Sequence, residues 1–187
     1  MRRWLLALTV SVAGCVIAPS VPLMVPLDAG ADHGYSDTML ADRRYEVRYL
    51  TPPRRTALDP ADRTADIEAA RSLAYDLALW RAAAIAEVLG YPAFTVDQRD
   101  ASVTVEITDQ NPYYGPYYGD CRFAYPYCDY GYLDRPYGYL RDAWLQVEAR
   151  LTVTLRSHSG RGTLDAAATG EQMRRKHPTA LEAGVPY

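Results

Sequence analysis

Apolar and polar residues alternate along much of this chain with a period of two, and in one stretch they recur with the period of a helix. Tyr45, Val47 and Tyr49 alternate with Glu46 and Arg48, which predicts a half-buried strand over 45–50 that Thr51-Pro52-Pro53 ends. Asp59-Pro60 has the form of an N-cap followed by proline at the first helical position. Ile67, Ala70, Ala74, Leu77, Ala78, Ala84, Ile85 and Val88 then follow at helical spacing. Gly90 can end a helix in a left-handed turn and Pro92 prevents its continuation. A helix is therefore predicted from Ala61 to Leu89, with a break allowed near Arg63.

Beyond the helix the period of two returns. Residues 93–98 and 102–108 read as two strands around Arg99-Asp100-Ala101, the second with Val103, Val105 and Ile107 on one side. The cleanest alternation sets Leu145, Val147, Ala149, Leu151, Val153 and Leu155 against Gln146, Glu148, Arg150, Thr152 and Thr154. Gly160-Arg161-Gly162 marks a turn, residues 163–168 a returning edge strand, and Glu171 to Lys176 a short helical turn before a frayed tail. The order implies an α+β fold: an antiparallel sheet of four to five strands with one long helix packed on one face, plus a Tyr/Gly/Pro-rich inter-strand loop.

The N-terminus follows neither period. Met1-Arg2-Arg3 is a positive start, and Trp4 to Ala13 is an apolar run of ten residues. That is too short for a helix that needs about 20 residues to cross a bilayer, and right for an export signal. Val12-Ala13-Gly14-Cys15 follows and resembles the lipobox of bacterial lipoproteins, in which small residues precede an acylated cysteine. The resemblance implies cleavage before Cys15 and lipidation of its thiol. Each buried acyl methylene is worth about 0.8 kcal/mol, so two or three chains hold a protein on a membrane essentially permanently. Val16 stands where Asp would signal inner-membrane retention, which favours the outer membrane, facing the periplasm. Residues 16–31 read as an extended tether with Pro19, Pro22 and Pro26. Its apolar residues, among them Leu23, Met24 and Val25, either lie against lipid or fold back on the domain.

Charge and composition narrow the classes further. The formal net charge of −3 becomes −5 once Arg2 and Arg3 leave with the signal, which excludes nucleic-acid binding through bulk positive charge. Besides Cys15 the chain has only Cys121 and Cys128. Their spacing matches no common zinc pattern, and in an oxidising periplasm the pair reads as a disulfide worth about 2–3 kcal/mol. The pair sits in an insert, residues 110–141, that holds ten of the sixteen tyrosines. Tyr113, Tyr114, Tyr117, Tyr118, Tyr125, Tyr127 and Tyr130 form a candidate binding surface for a protein partner or for cell-wall sugars. A stapled surface loop is the plainer alternative.

Catalytic chemistry leaves few marks. His33, His158 and His177 are scattered, and none has a partner at metal-ligand spacing. No nucleophile elbow, phosphate loop or His-Glu-x-x-His occurs. Asp97 with Asp100, and Asp120 with Asp129, are acidic pairs that could flank a sugar or hold calcium, and Arg174-Arg175-Lys176-His177 is a basic run. Exposed side chains explain all of these equally well.

Gly34-Tyr35-Ser36, Leu79-Trp80-Arg81-Ala82-Ala83, Gly90-Tyr91 with Phe94, and more weakly Leu164-Asp165-Ala166 resemble an uncharacterised family of small proteobacterial lipoproteins. The chain departs from that pattern by a longer 52–63 segment and by the Tyr/Cys insert. The resemblance implies a lipid-anchored α+β domain, names no activity, and carries over no catalytic residue.

The chain is thus expected to divide into a signal peptide (1–14), a lipidated tether (15–33), an α+β domain (34–170) and a C-terminal tail (171–187). The expected role is structural or binding, not enzymatic, with neither cofactor nor metal. The expected partners are the membrane, through the acyl chains, and an envelope protein or peptidoglycan, with no nucleic acid. Two alternatives stay open: an envelope hydrolase or wall-modifying enzyme, and a redox or stress sensor using Cys121 and Cys128.

Overall fold

The computed structural model describes residues 22–27, 30–110 and 140–181. The elements are β1 (Gly34–Ala41), β2 (Arg44–Leu50), β3 (Arg54–Thr56), α1 (Thr64–Val88), β4 (Ala93–Gln110), β5 (Leu140–Arg156), β6 (Leu164–Asp165) and α2 (Ala166–Lys176), followed by a short 3-10 helix, Pro178–Leu181. The strands form one six-stranded antiparallel sheet in the order β1-β2-β5-β4-β6, with β3 pairing the start of β5. The class is α+β, and the sheet has more strands than the four to five expected.

β5 organises the core. Leu145, Val147, Ala149, Leu151, Val153 and Leu155 are all at most 2% exposed. They join Val47 and Tyr49 of β2, Phe94 of β4 and the buried side of α1 in one cluster. Burying a large aliphatic side chain contributes about 1.5–3 kcal/mol, so this row dominates the stability of the sheet. Ala70, Ala74, Ala78, Ala82 and Ala86 of α1 are buried at intervals of four, and small side chains there let a neighbour approach closely. α1 packs against both β5 and α2, and α2 buries Ala166, Thr169, Gly170 and Met173. The second helix widens the buried arc of α1, so Trp80, Ala82 and Ala83 are covered while Val88 is 84% exposed.

Several predicted boundaries move. Asp59 does not cap α1. Its carboxylate accepts from the Ala61 amide in a turn, and the helix starts at Thr64 after Arg63, whose guanidinium donates to the Ala57 and Leu58 carbonyls. At the other end Gly90 adopts φ +76° and the Tyr91 amide donates to the Ala86 carbonyl, as a glycine helix stop requires. Residues 93–98 and 102–108 are one strand, not two. β4 has a bulge between Val96 and Gln98 that leaves Asp97 without a partner on β5. The extra residue switches the buried parity from even to odd, so one strand shows two phases. Residues 163–168 are mostly not strand: only Leu164–Asp165 pairs with β4. The Asp165 carboxylate then accepts from the Ala168 amide at 2.8 Å and starts α2, a full helix in place of the short turn expected at 171–176.

Candidate functional site

The most completely built polar arrangement in the described residues is the seat of the N-terminal segment. Met24 is buried and Leu23 packs against the core, so this part of the tether lies on the domain. The Leu23 and Met24 amides face the Ala180 carbonyl at 3.2 and 3.4 Å. On the other side the Tyr49 hydroxyl donates to the Leu23 carbonyl at 2.8 Å. Burial pushes the Tyr49 phenol well above its ordinary range, so it stays a donor across the physiological range.

His33 locks the end of this segment and is 3% exposed. Its Nδ1 lies 2.6 Å from Asp32 Oδ1 and its Nε2 lies 2.9 Å from the Pro22 carbonyl. Both partners are acceptors, so the doubly protonated ring satisfies both contacts and a neutral ring only one. Gln146 Nε2 donates to the Asp32 and Thr51 carbonyls at 2.7 and 2.9 Å, fixing the segment to the sheet. Thr51 extends the β2–β5 ladder by one step. Its amide donates to the Val147 carbonyl and its hydroxyl accepts from the Val147 amide, both at 2.9 Å.

Gly34 explains why the chain can turn from this segment into β1. Its φ is +128°, and a Cβ there would overlap the Val25 carbonyl. That carbonyl accepts from the Tyr35 amide at 2.8 Å, and Pro26 forms an isolated parallel bridge with Tyr35. Next along β1, Asp37 pairs with Arg81 of α1 at 2.8 Å, and the same guanidinium lies 4.2 Å over the Tyr35 ring. Tyr35 and Asp37 of β1 and Arg81 of α1 thus meet at one edge of the sheet.

A second feature is an open groove of about 420 Å³ beside the β4 bulge, lined by Tyr75, Leu79, Val96, Asp97, Arg99 and Leu164 among others. The Arg99 guanidinium lies 4.6 Å over the Tyr75 ring. The Asp97 carboxylate accepts from Thr154 at 2.5 Å and from Thr95 at 3.0 Å, so both oxygens serve the bulge. Asp100 stands opposite Arg150, four residues along β5 from Thr154, and its carboxylate accepts from the Ala101 amide, so it does not form a working pair with Asp97.

The other sequence candidates fall as follows. Cys15, Cys121, Cys128, Asp120, Asp129 and the tyrosines from Tyr113 to Tyr130 lie outside the described residues. His158 sits in an exposed turn, 2.9 Å from the Ser157 hydroxyl. The basic run is compensated: Arg174 and Arg175 both pair with Glu171, while Lys176 and His177 both reach Asp76. The Arg175 hydrogen bond and charge, with Arg174 adding, hold the Glu171 carboxyl below its ordinary range. Among the described residues no three His, Cys, Asp or Glu side chains gather as metal ligands.

Of the two alternatives for Leu23, Met24 and Val25, the fold-back on the domain is the one found, but the sequence did not point to the groups that hold it. His33, Tyr49 and Gln146 are far apart in the chain, and no motif marks them. The one available signal was Gly34, a glycine at the start of a strand, where a close backbone approach is a standard reason for its presence. No family model matches the chain, and no curated protein or solved structure matches it.

Proposed function

We propose that this protein is a lipid-anchored component of the bacterial cell envelope with a structural or binding role, held by Cys15 on the outer membrane and facing the periplasm. The leader and the Val12-Ala13-Gly14-Cys15 run support the anchor. The seating of the chain from Pro22 onward is the observation that carries the reading. It leaves six residues between Cys15 and Pro22, seven Cα–Cα steps that span at most about 25 Å when fully extended. A domain on so short a leash works close to its membrane. The binding element in this reading is the Tyr-rich insert. Gln110 and Leu140 pair at the end of the β4–β5 ladder, so both ends of the insert leave from one place. The ladder reaches that place five residues beyond Leu145, about 17 Å further along the strands. The arrangement under this proposal is a helix-covered sheet that anchors the domain and a long hairpin that presents the insert.

The test is acyl labelling in a bacterial host with lipoprotein processing. Wild-type chain takes up labelled palmitate and sediments with the membrane, and Cys15→Ala abolishes both. Labelling that survives the substitution rules out the anchor. Deleting residues 112–138 then tests the binding role. Capture of an envelope protein or of peptidoglycan is lost while the melting transition stays, and unchanged capture rules out the insert as the binding element.

A further inference from the structure

The sheet has two long edges: among the described residues β1 is bridged by the N-terminal segment at Tyr35, and β4 is paired with β6 at Ala93 and Phe94. The direction of the β5 backbone decides which groups the β4 edge presents. The Val147 amide and carbonyl both point to Thr51, and the Leu155 amide donates to the Arg43 carbonyl. Odd residues of β5 therefore bond toward β2, and even residues toward β4. In an antiparallel ladder directly opposed residues either exchange both bonds or neither. Thr104 opposite Gln146, Ser102 opposite Glu148 and Asp100 opposite Arg150 are thus the bonded pairs. The amides and carbonyls of Ala101, Val103, Val105 and Ile107 face the outer edge. There β4 pairs with β6 only through Ala93 and Phe94 among the described residues.

Such an edge is a template for another strand, and proteins usually blunt it with proline, lysine, a bulge or an inward charge. Residues 98–108 contain neither proline nor lysine, and the β4 bulge lies before them, at Val96/Gln98. Ile107 is 47% exposed. It stands opposite Ala143, in the row that faces the helices.

We propose that β4 pairs antiparallel with β4 of a second copy of this chain, with the two-fold axis at Thr104, to give one continuous sheet with the helices of both copies on the same side. Self-complementarity is the argument. In that register Val103 faces Val105, Ala101 faces Ile107, Ser102 faces Glu106 and Asp100 faces Thr108 of the other copy. Apolar residues meet apolar ones and no like charges oppose. Centring the axis on Val103 would set Asp100 against Glu106 twice. Centring it on Ser102 would carry Ile107 onto the bulge at Asp97. Only the Thr104 register among these covers Ile107 with an apolar neighbour.

The experiment is sedimentation of the full chain in density-matched detergent across a dilution series, with amide hydrogen exchange on the same samples. Wild type sediments as a dimer, and the Val103 and Val105 amides exchange slowly in the dimer and fast on dilution. Val103→Pro removes an edge-facing amide and no bond to β5. It is a monomer that still unfolds cooperatively, at a lower melting temperature because it loses the dimer contacts and part of the Val103 packing against the core. Ile107→Lys, at a half-exposed site, covers the case in which the proline variant does not fold, and weakens the dimer by about tenfold or more. A wild-type monomer at all concentrations overturns the proposal. So do a dimer that survives Ile107→Lys unchanged, and slow exchange of Val103 and Val105 in a monomer, which means that this chain fills its own edge.

Discussion

The β1 and β4 edges belong to one sheet but are finished in opposite ways. At β1 the Val25 carbonyl takes the Tyr35 amide, Asp37 is an inward charge matched by Arg81, and the ladder is irregular between Met39 and Ala41. Each of these discourages a foreign strand. At β4 the bulge at Val96/Gln98 and the inward charge of Arg99, stacked on Tyr75, come first, and the stretch from Ala101 to Ile107 beyond them alternates apolar residues with no such device. Residues 22–26 are therefore more than a spacer: they are part of the fold, and they bridge the β1 edge at Tyr35. The edge they leave open is the one that leads to the Tyr-rich insert.

The largest expected effect at the closed edge is that of Gly34→Val. It places a side chain into the Val25 carbonyl at a φ of +128°. Roughly 3 kcal/mol of stability is lost, from the strained backbone and the displaced segment together. Urea denaturation measures it, and a loss below about 1 kcal/mol would mean that the segment is not seated there.

Tyr49→Phe follows, at about 1–2 kcal/mol, because it leaves the Leu23 carbonyl without its donor. It also has a pH signature. The phenol is raised in the folded state, so its contribution is fully present below the ordinary tyrosine value of about 10 and is lost as the pH rises through the folded-state value. The wild type therefore loses stability more steeply than Tyr49→Phe above that pH in paired denaturation series.

Arg81→Met costs less, about 1 kcal/mol, since the ion pair with Asp37 and the stacking on Tyr35 are both partly exposed. The smallest effect lies on the open edge. Ile107→Ala, measured on dilute monomer, changes the unfolding free energy by no more than about 0.5 kcal/mol. A larger loss would show that Ile107 is covered within one chain, and the contrast between the edges would fail.

Much of this architecture was legible because burial is one-sided. The β5 row kept its alternation from Leu145 to Leu155, and Gly90-Tyr91-Pro92 ended α1 where a glycine stop should. β4 was misread because its bulge reverses the phase at Asp97. β1 escaped notice because its inward positions are Tyr35, Asp37 and Met39. A carboxylate satisfied by an arginine forty-four residues away erases the alternation. β3, Arg-Arg-Thr, is too short and too charged to show a period. The seat of the tether was the least legible part. Its contacts run through backbone carbonyls of Pro22, Leu23 and Val25, which every residue type carries and no sequence pattern reports.

The central claim is that residues 22–26 are docked on the domain and bridge the β1 edge at Tyr35. The most direct measurement is the exchange rate of the Tyr35 amide in the full chain at concentrations where the chain is monomeric. Docking predicts that it exchanges as slowly as amides inside the β2–β5 ladder, and that Gly34→Val releases it. Exchange in the wild type as fast as that of a solvent-facing edge amide would contradict the docking and return residues 22–26 to a free tether.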